Sequence, residues 1–407
     1  MRRRRRPSRQ AAQPSQPAAQ APNATVIPFE LIDTDAKLRR ILPDLARQQS
    51  LALDMEMENH YHHYGLHVAL IQLSTANGRH FIIDPLAEFD PQPLGEIFGN
   101  KRSELILHDA EFDRRAGRLV YNWELNRVFD TKIAAQLCGR RKFGLGNLLA
   151  DEFGIISNKR FQTTNWMKRP LPPGALEYAV GDTAHLHRLK ERLAGELAKL
   201  KRTAWAQEEF EYALRLSGEP DRNEDTPAHQ RMKRSTLLTG QQLAVLEALY
   251  EFRDRLARSL NRPQHYVLRN DSLLQMAAAE KLDLKQLQEL RGVHPALKRP
   301  QNLKELLAAW RQGQSASAQT HFTRRNRTRA APDSKKRLKD MQLWRMKVAA
   351  ELDLEPYLIL ANDVLVWCAN NSGKPMDTST AGMVRHWQRA ICWPRFEEAF
   401  GTPAPQA

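Results

Sequence analysis

One short stretch, LALDMEMENHYHHY at residues 51–64, constrains the fold more than any other part of the sequence. Its first eight residues alternate between two sets of side chains, as in a β-strand whose faces differ. One predicted face carries Leu51, Leu53, Met55 and Met57, and the other carries Ala52, Asp54, Glu56 and Glu58. A half-exposed strand with a solvated acidic face explains this pattern. A pair of carboxylates directed at a divalent cation explains it as well, because hard cations bind clustered carboxylate oxygens.

Length, composition and cysteine content restrict the class of protein. A chain of 407 residues with 42% hydrophobic residues is long enough for several globular domains. No apolar run is long enough to cross a bilayer, so we predict no membrane association. The three cysteines, at positions 138, 368 and 392, lie far apart, which argues against a disulfide framework or a zinc site. This cysteine usage fits a reducing compartment, and we predict a cytoplasmic protein.

The positive charge is concentrated in two segments. Residues 1–29 contain six arginines and no acid, and residues 321–347 contain ten basic and two acidic residues, so together they carry +14 of the net +15. Such segments suit a polyanionic partner, because neutralising phosphates releases counterions without requiring a shaped pocket. A disordered tail that only improves solubility, or an organellar transit peptide, would also explain the N-terminal arginines.

Residues 30–215 are predicted to form an α/β domain. Apolar runs at residues 50–57, 68–75, 79–84 and 104–108 predict strands. Helical patterns follow at residues 109–120, 131–138, 144–153 and 174–200. Three strands before the first helix predict a meander that opens a mixed sheet flanked by helices.

The remainder of the chain is predicted to contain two small all-α domains. Polar composition marks a linker at residues 216–236 and a basic linker at 314–335, with helical domains at 237–313 and 336–402 and a disordered basic tail at 1–29. The two helical blocks repeat each other at an offset of 92 residues, where Arg253 aligns with Arg345 and Leu268 with Leu360. A duplicated helical module explains this agreement.

Three further stretches supply candidate functional residues. LILHDAEFD at 105–113 runs from a strand into a helix and places Asp113 near the helix start. Tyr178 and Asp182 in EYAVGDTAHL are four residues apart, which puts both on one face of a helix. Asp130 follows a predicted strand, where it could cap the next helix.

The order of these motifs resembles the DEDD exonuclease superfamily in its tyrosine-bearing branch, and ribonuclease D in particular. The flanking text carries the resemblance too, in ALIQLS, IIDPL, HDAEFD, FDTKIAA, GLGNLL and NWMKRPL. The repeated module is similar to the helicase-and-RNaseD C-terminal (HRDC) domain, of which bacterial-type ribonuclease D has two. The resemblance spans residues 30–402. It implies a ribonuclease H-like exonuclease domain followed by modules that position RNA or brace the nuclease domain.

The resemblance also implies a mechanism. It predicts a 3′→5′ exoribonuclease that releases 5′-mononucleotides. Its predicted substrates are tRNA precursors and other structured RNAs, and no obligate protein partner is expected. Two divalent ions, Mg²⁺ or Mn²⁺, would serve the attacking and leaving oxygens. Their predicted ligands, and with Tyr178 the predicted catalytic residues, are Asp54, Glu56, Asp113 and Asp182. Tyr178 would orient or help deprotonate the attacking water. Trp166, Lys168 and Arg169 are candidate substrate contacts, although a tryptophan stacked in the core would look the same.

Several features leave alternatives open. Met55 stands where the family usually has threonine, and it should face away from the metals. Asn158-Lys159 replaces an acidic-lysine pair, which affects substrate contacts rather than catalysis. His60, His62, His63 and His67 lie after the first motif, where a solvated or RNA-facing loop is favoured over zinc. A DNA exonuclease, or a non-catalytic RNA-binding protein on the same fold, are the alternative functions.

Overall fold

The computed structural model describes residues 27–87, 89–156, 159–218, 226–322 and 333–401. Parts of several sequence predictions therefore lie outside the described residues. These are the disordered basic tail up to residue 26, Asn158 in the departure from the family pattern, residues 219–225 of the linker predicted at 216–236, residues 323–332 of the predicted basic linker, and residue 402 of the second predicted helical domain.

A six-stranded mixed sheet forms the centre of the N-terminal domain. Its strands are β1 (Glu30–Ile32), β2 (Ser50–Asn59), β3 (Leu66–Thr75), β4 (His80–Ile83), β5 (Glu104–Leu107) and β6 (Val128–Asp130). They are arranged in the order β1-β4-β3-β2-β5-β6. The strands β2, β3 and β4 form an antiparallel meander, while β1 pairs with β4, β5 with β2 and β6 with β5 in parallel. The predicted mixed sheet is confirmed.

Eight α-helices flank this sheet within the part of the chain that the structure describes. They are α1 (Asp35–Ala46), α2 (Leu94–Phe98), α3 (Glu111–Tyr121), α4 (Thr131–Leu137), α5 (Leu145–Phe153), α6 (Ala175–Ala184), α7 (Leu186–Lys199) and α8 (Thr203–Gly218).

Two details of the predicted element order are wrong. Helix α1 lies between the first and second strands, so the meander does not precede the first helix; Pro43 within α1 hides its helical pattern. The single helix predicted at 174–200 is broken at His185, which ends α6 and precedes α7. This break allows α6 to pack across β2, β3 and β4 while α7 packs against α4 and β5.

Both faces of the sheet are covered by apolar contacts. On one face Leu53, Met55 and Ile71 belong to a core that also contains residues of α1, α2 and α3. On the other face Leu70 packs in a cluster with Val180 of α6. Met55 therefore faces away from Asp54 and Glu56, as the strand alternation predicts.

The C-terminal part contains two helical modules. The first comprises α9 (Gly240–Ser259), α10 (Gln264–Val267), α11 (Asn270–Ala278), α12 (Leu284–Gln288) and α13 (Pro300–Ser315). The second comprises α14 (Ser334–Glu351), α15 (Pro356–Ile359), α16 (Asn362–Asn370), α17 (Thr378–Ala381), α18 (His386–Ile391) and α19 (Trp393–Phe400).

The predicted repeat is present in three dimensions. Helices α9, α10 and α11 end at positions that differ by 92 residues from the ends of α14, α15 and α16. A side-chain contact repeats as well, because Nη1 of Arg253 donates to the carbonyl oxygen of Leu268 over 3.0 Å and Nη1 of Arg345 donates to that of Leu360 over 2.9 Å. The two modules therefore share one local architecture.

Two further features concern the cysteines and the hydropathy of the helices. Cys138, Cys368 and Cys392 are free thiols and are buried. Among the described residues, no helix is both long enough and apolar enough to cross a membrane.

Candidate active site

Three carboxylates from two elements converge on one face of the sheet. Asp54 and Glu56 project from β2, and Asp182 projects from α6, which packs across β2. One oxygen of each carboxylate lies within 4.8 Å of an oxygen of the other two. The alternation of β2 and the position of Asp182 on α6 thus bring together residues that are more than 120 positions apart.

Asp113 joins this group from a third element. It lies in the first turn of α3, is 6% exposed, and its Oδ1 has no hydrogen-bond partner among the described residues. The charge of Asp54 acts on it directly, so the two carboxylates lie close together. Asp130 holds the turn that leads into α3, because its carboxylate accepts hydrogen bonds from the backbone N–H groups of Asp109 and Ala110. It also caps α4 as predicted.

Tyr178 lies one helical turn before Asp182 on α6. Its hydroxyl forms hydrogen bonds with the side chains of Asp182 and Gln162. Its ring packs on Trp166, with ring centroids 6.3 Å apart and an interplanar angle of 24°. The phenol is therefore held at the edge of the carboxylate cluster by contacts on both of its ends.

The carboxylates of the cluster resist ionising together. Burial raises the pKa of Asp54 to about 7. Burial and then the charges of Asp54, Asp182 and Asp113 raise the pKa of Glu56 to about 9. Burial and the charge of Asp54 raise the pKa of Asp182 to about 8, against the hydrogen bond from Tyr178. Burial and the charge of Asp54 also raise the pKa of Asp113 well above its ordinary value.

This donor set fits a divalent cation. Raised pKa values arise where like charges are crowded in a buried site, and a bound cation removes that repulsion. Within the described part of the chain, no Lys, Arg or His forms a salt bridge with any of the four carboxylates. Oxygen-only ligands are those that Mg²⁺ and Mn²⁺ prefer. The unpaired Oδ1 of Asp113 supplies a further free acceptor.

Glu58 lies outside this cluster, although strand alternation placed it on the same face. Its carboxylate accepts hydrogen bonds from the backbone N–H groups of Tyr61 and His62, and it contacts the His62 ring over 3.1 Å. Glu58 therefore stabilises the loop that follows β2 and is turned away from the other acids.

Comparisons with known proteins agree with this geometry. A family model described as 3′-5′ exonuclease matches residues 29–198, and an HRDC domain model matches residues 242–310. The chain is 29% identical to ribonuclease D of Desulfotalea psychrophila over 61% of this chain and 66% of that protein. It is 29% identical to ribonuclease D of Pseudomonas paraeruginosa over 66% of this chain and 70% of that protein. The chain thus spans about two thirds of the length of these curated relatives.

The fold itself also has a solved counterpart. The crystal structure of Escherichia coli RNase D superimposes with a TM-score of 0.71 over 93% of this chain and 100% of that chain, at 23% identity. The resemblance to ribonuclease D is confirmed. Residues 29–198 are similar to 3′-5′ exonuclease domains, and residues 242–310 are similar to HRDC domains. The second helical module repeats the first in its helices, but only the first is matched by the HRDC model, so a second HRDC domain stays a prediction.

Within this ribonuclease D-like domain, two of the three candidate substrate contacts are engaged inside the protein. Trp166 is 5% exposed and packs against Tyr178, in keeping with the core alternative. The Arg169 guanidinium donates to both carboxylate oxygens of Asp84, at 2.6 and 2.7 Å, and to three backbone carbonyls. A guanidinium has five N–H donors, so none remains for a phosphate. Only Lys168 is exposed.

The contacts of Arg169 have a local cause in β3. The register between β2 and β3 shifts between Glu56 and Met57, which leaves Ala69 without a partner on β2. The carbonyl oxygen of Ala69 accepts a hydrogen bond from Nη2 of Arg169 over 2.8 Å. Arg169 therefore stabilises a β-bulge beside the acidic cluster.

Sequence patterns did not reveal two supports of the site. The Ser74 hydroxyl on β3 is hydrogen-bonded to Thr183 on α6 over 2.8 Å and to Nδ1 of His80 on β4 over 2.7 Å. This buried network anchors the residue next to Asp182. The histidine-rich loop at 60–65 contacts the first helical module through His62, His63 and Tyr64, so it is not simply solvated.

Proposed function

We propose that this protein is a metal-dependent 3′→5′ exoribonuclease that releases 5′-mononucleotides from RNA 3′ ends, with tRNA precursors among its substrates. The observation that carries the proposal is the convergence of Asp54, Glu56 and Asp182 on one face of the sheet, with Asp113 and Tyr178 beside them. RNA as the substrate is supported by the similarity to proteins named ribonuclease D.

The carboxylates divide the task of holding two ions. Asp54, Glu56 and Asp182 offer oxygens within one 4.8 Å group and would hold the ion on the nucleophile side. Asp113, with Asp54 beside it, would hold the second ion on the side of the leaving group. Divalent cations bound there would lower the pKa of the attacking water and would stabilise the leaving oxygen of the phosphodiester.

The role proposed for Tyr178 is to orient the attacking water. Burial, with the nearby charges of Asp182 and Glu56, raises the pKa of its hydroxyl above the ordinary value, so the group stays neutral at physiological pH. A neutral hydroxyl both donates and accepts hydrogen bonds. Tyr178 can therefore bond to Asp182 and orient a water molecule toward the phosphorus. Holding the water in the right geometry lowers the barrier to its attack.

A paired digestion assay tests the proposal. The substrates are 5′-labelled tRNA with a 3′ extension and a matched single-stranded DNA, each incubated with Mg²⁺ or Mn²⁺. We expect a one-nucleotide ladder on the RNA that disappears with a chelator and in the Asp54→Asn variant. The control is Asp151→Asn, which removes an exposed acid of α5 and should leave the ladder intact.

Three outcomes would contradict parts of the proposal. Equal or faster degradation of the DNA would keep the carboxylate mechanism and overturn the RNA specificity. Absence of metal-dependent cleavage on both substrates, with RNA binding intact, would favour a non-catalytic RNA-binding protein. Retention of the ladder by Asp54→Asn would remove Asp54 from the catalytic residues.

A further inference from the structure

Gln72 is an unexplained polar residue in the interior of the exonuclease domain. It lies on β3, its side chain is completely buried, and neither its Nε2 nor its Oε1 has a hydrogen-bond partner among the described residues. A buried carboxamide loses its bonds to water, and leaving it unpaired is unfavourable. Such groups are rare in folded proteins, so a specific reason for Gln72 is expected.

The register of the sheet places Gln72 beside the acidic cluster. Gln72 is the direct cross-strand partner of Asp54. Residues directly opposite each other on antiparallel strands point to the same face, with Cβ atoms about 5 Å apart. That face is covered by α6, which carries Tyr178 and Asp182. The carboxamide therefore lies between the sheet and the helix that together form the site.

The neighbours of Gln72 on this face of β3 have identified packing or hydrogen-bond partners. Leu70 packs in an apolar cluster with Val180 of α6. The Ser74 hydroxyl is hydrogen-bonded to Thr183 and His80. Of these three side chains, Gln72 alone has polar atoms without partners, and it is the one opposite Asp54.

We propose that Gln72 is a positioning residue for the metal ligand Asp54. Its Nε2–H donates a hydrogen bond to the Asp54 carboxylate when a divalent ion is held, which orients the carboxylate toward the ion. A carboxamide suits this task because it donates without carrying charge, so it neither neutralises the ligand nor adds to the crowding of acids. The inference rests on the proposed function in one respect, that Asp54 is a metal ligand.

The test replaces Gln72 by methionine, which has a similar volume and no hydrogen-bonding amide. Mn²⁺ binding to the full chain is measured by calorimetric titration, and thermal unfolding is measured with and without Mn²⁺. We expect the affinity for Mn²⁺ to fall by about 10-fold or more, as when other outer-shell partners of ligands are removed. The unfolding temperature without Mn²⁺ should stay the same or rise, because an unpaired buried polar group is replaced by an apolar one.

Controls separate positioning from packing. Leu70→Met changes a residue on the same face of β3, opposite Glu56, and should leave Mn²⁺ affinity unchanged. Gln72→Leu provides a second apolar variant should the methionine variant unfold at a lower temperature. In the digestion assay we expect Gln72→Met to lower kcat while KM for RNA stays the same, which a general loss of fold would not produce.

The outcomes distinguish this inference from the proposed function. Wild-type protein that binds no Mn²⁺ would contradict the metal site itself. Wild-type binding with an unchanged affinity in both Gln72 variants would overturn the role of Gln72 and leave the proposed function standing. Lower stability without Mn²⁺, together with unchanged Mn²⁺ affinity, would make Gln72 a packing residue only.

Discussion

The two helical modules have the same local architecture and are attached to the nuclease domain in different ways. The second module shares an apolar core with it, in which Leu358, Ile359 and Trp387 pack with residues of α4, α7 and α8. Trp387 stacks on Trp205 of α8, with ring centroids 4.6 Å apart. The second module is therefore packed as a structural part of the N-terminal domain.

A buried ion pair completes this interface. Glu209 of α8 and Arg385 are 8% and 9% exposed and lie 2.8 Å apart. The same carboxylate oxygen accepts a hydrogen bond from Nε1 of Trp387 over 2.8 Å. Both charges are thus satisfied inside the contact between the nuclease domain and the second module.

The first module contacts the N-terminal domain through polar groups and a ring. The Tyr64 hydroxyl, in the loop after β2, donates to Asp254 of α9 over 2.8 Å, and Arg258 lies over the Tyr64 ring. The backbone N–H of Tyr64 donates to Asn261, and Arg262 donates to the carbonyl oxygen of His62. This contact begins where the strand that carries Asp54 and Glu56 ends. Two modules with the same local architecture therefore have different roles. The second module braces the N-terminal domain through a shared apolar core, and the first is attached by polar contacts near the candidate active site.

The largest expected effect comes from the buried ion pair. Arg385→Met leaves the Glu209 carboxylate buried without its partner, which should lower the free energy of unfolding by about 3–5 kcal/mol. The matched control is Arg395→Met, because Arg395 pairs with Glu351 on the surface of the same module, with both side chains nearly half exposed. That variant should lose less than about 1 kcal/mol. Urea titration measures both, and equal losses would show that burial does not distinguish the pairs.

A smaller effect is expected from the polar attachment. Tyr64→Phe removes a hydrogen bond to a charged group, which should cost about 1.5–3 kcal/mol at this contact. Hydrogen exchange should become faster in residues 60–67 and in α9 and stay unchanged in α14 and α18. Tyr61→Phe, on the same loop at 69% exposure, is the matched control and should change nothing. Faster exchange throughout the second module would mean that the two attachments are coupled.

Acid should loosen the first module before the second. Burial lowers the pKa of His60 and of His63 from the ordinary 6.5. Burial raises the pKa of Glu58, but hydrogen bonds from His62 and from the backbone of Tyr61 hold it below 4.5 overall. The charged and titratable groups around them include His62, His67, Asp254, Arg262 and His265.

The direction follows from proton linkage. A group whose pKa is lowered in the folded state stabilises the folded state fully at pH values above its unfolded pKa. That stabilisation is lost as the pH falls through the folded pKa. Hydrogen exchange in residues 60–67, corrected for intrinsic rates, should therefore rise as the pH drops below 6.5 through the histidines, and further below 4.5 through Glu58. His60→Gln with His63→Gln should remove the first step. Exchange rates in this loop that do not change with pH would contradict the roles given to these histidines and to Glu58.

Salt should produce the smallest effect. Arg258 and Asp254 are 3.6 Å apart, and Arg258 is 71% exposed. Raising the ionic strength from 0.1 M to 1 M shortens the screening length from about 10 Å to about 3 Å, so the first attachment should weaken by less than about 1 kcal/mol. Exchange around Glu209 and Arg385 should not respond, because their pair is buried. A larger salt effect on the buried pair than on the first attachment would show that the second attachment is the more electrostatic of the two.

Local sequence patterns predicted much of the fold and the composition of the site. The alternation in β2, the repeat at 92 residues and the four-residue spacing of Tyr178 and Asp182 are properties of short segments. The strand β1 was not predicted, because it has three residues and too few side chains to show a period. The break at His185 was also hidden, because both α6 and α7 continue a helical pattern.

The sequence by itself determined which residue types are present and which local elements can form, since periodicity and capping act over a few residues. The order of its motifs, through their resemblance to the DEDD exonuclease superfamily, indicated Asp54, Glu56, Asp113, Tyr178 and Asp182 as a group. Only the tertiary structure decided how distant residues pair. Arg169 is bonded to Asp84 and Ala69, and Glu58 is bonded to the loop after β2. Gln72 lies opposite Asp54, and its side chain has no hydrogen-bond partner among the described residues. The tertiary structure also decided that one copy of a duplicated module is bound by a shared core and the other by polar contacts. The physical reason is that burial and cross-strand register depend on contacts between segments far apart in the chain, which local patterns do not encode.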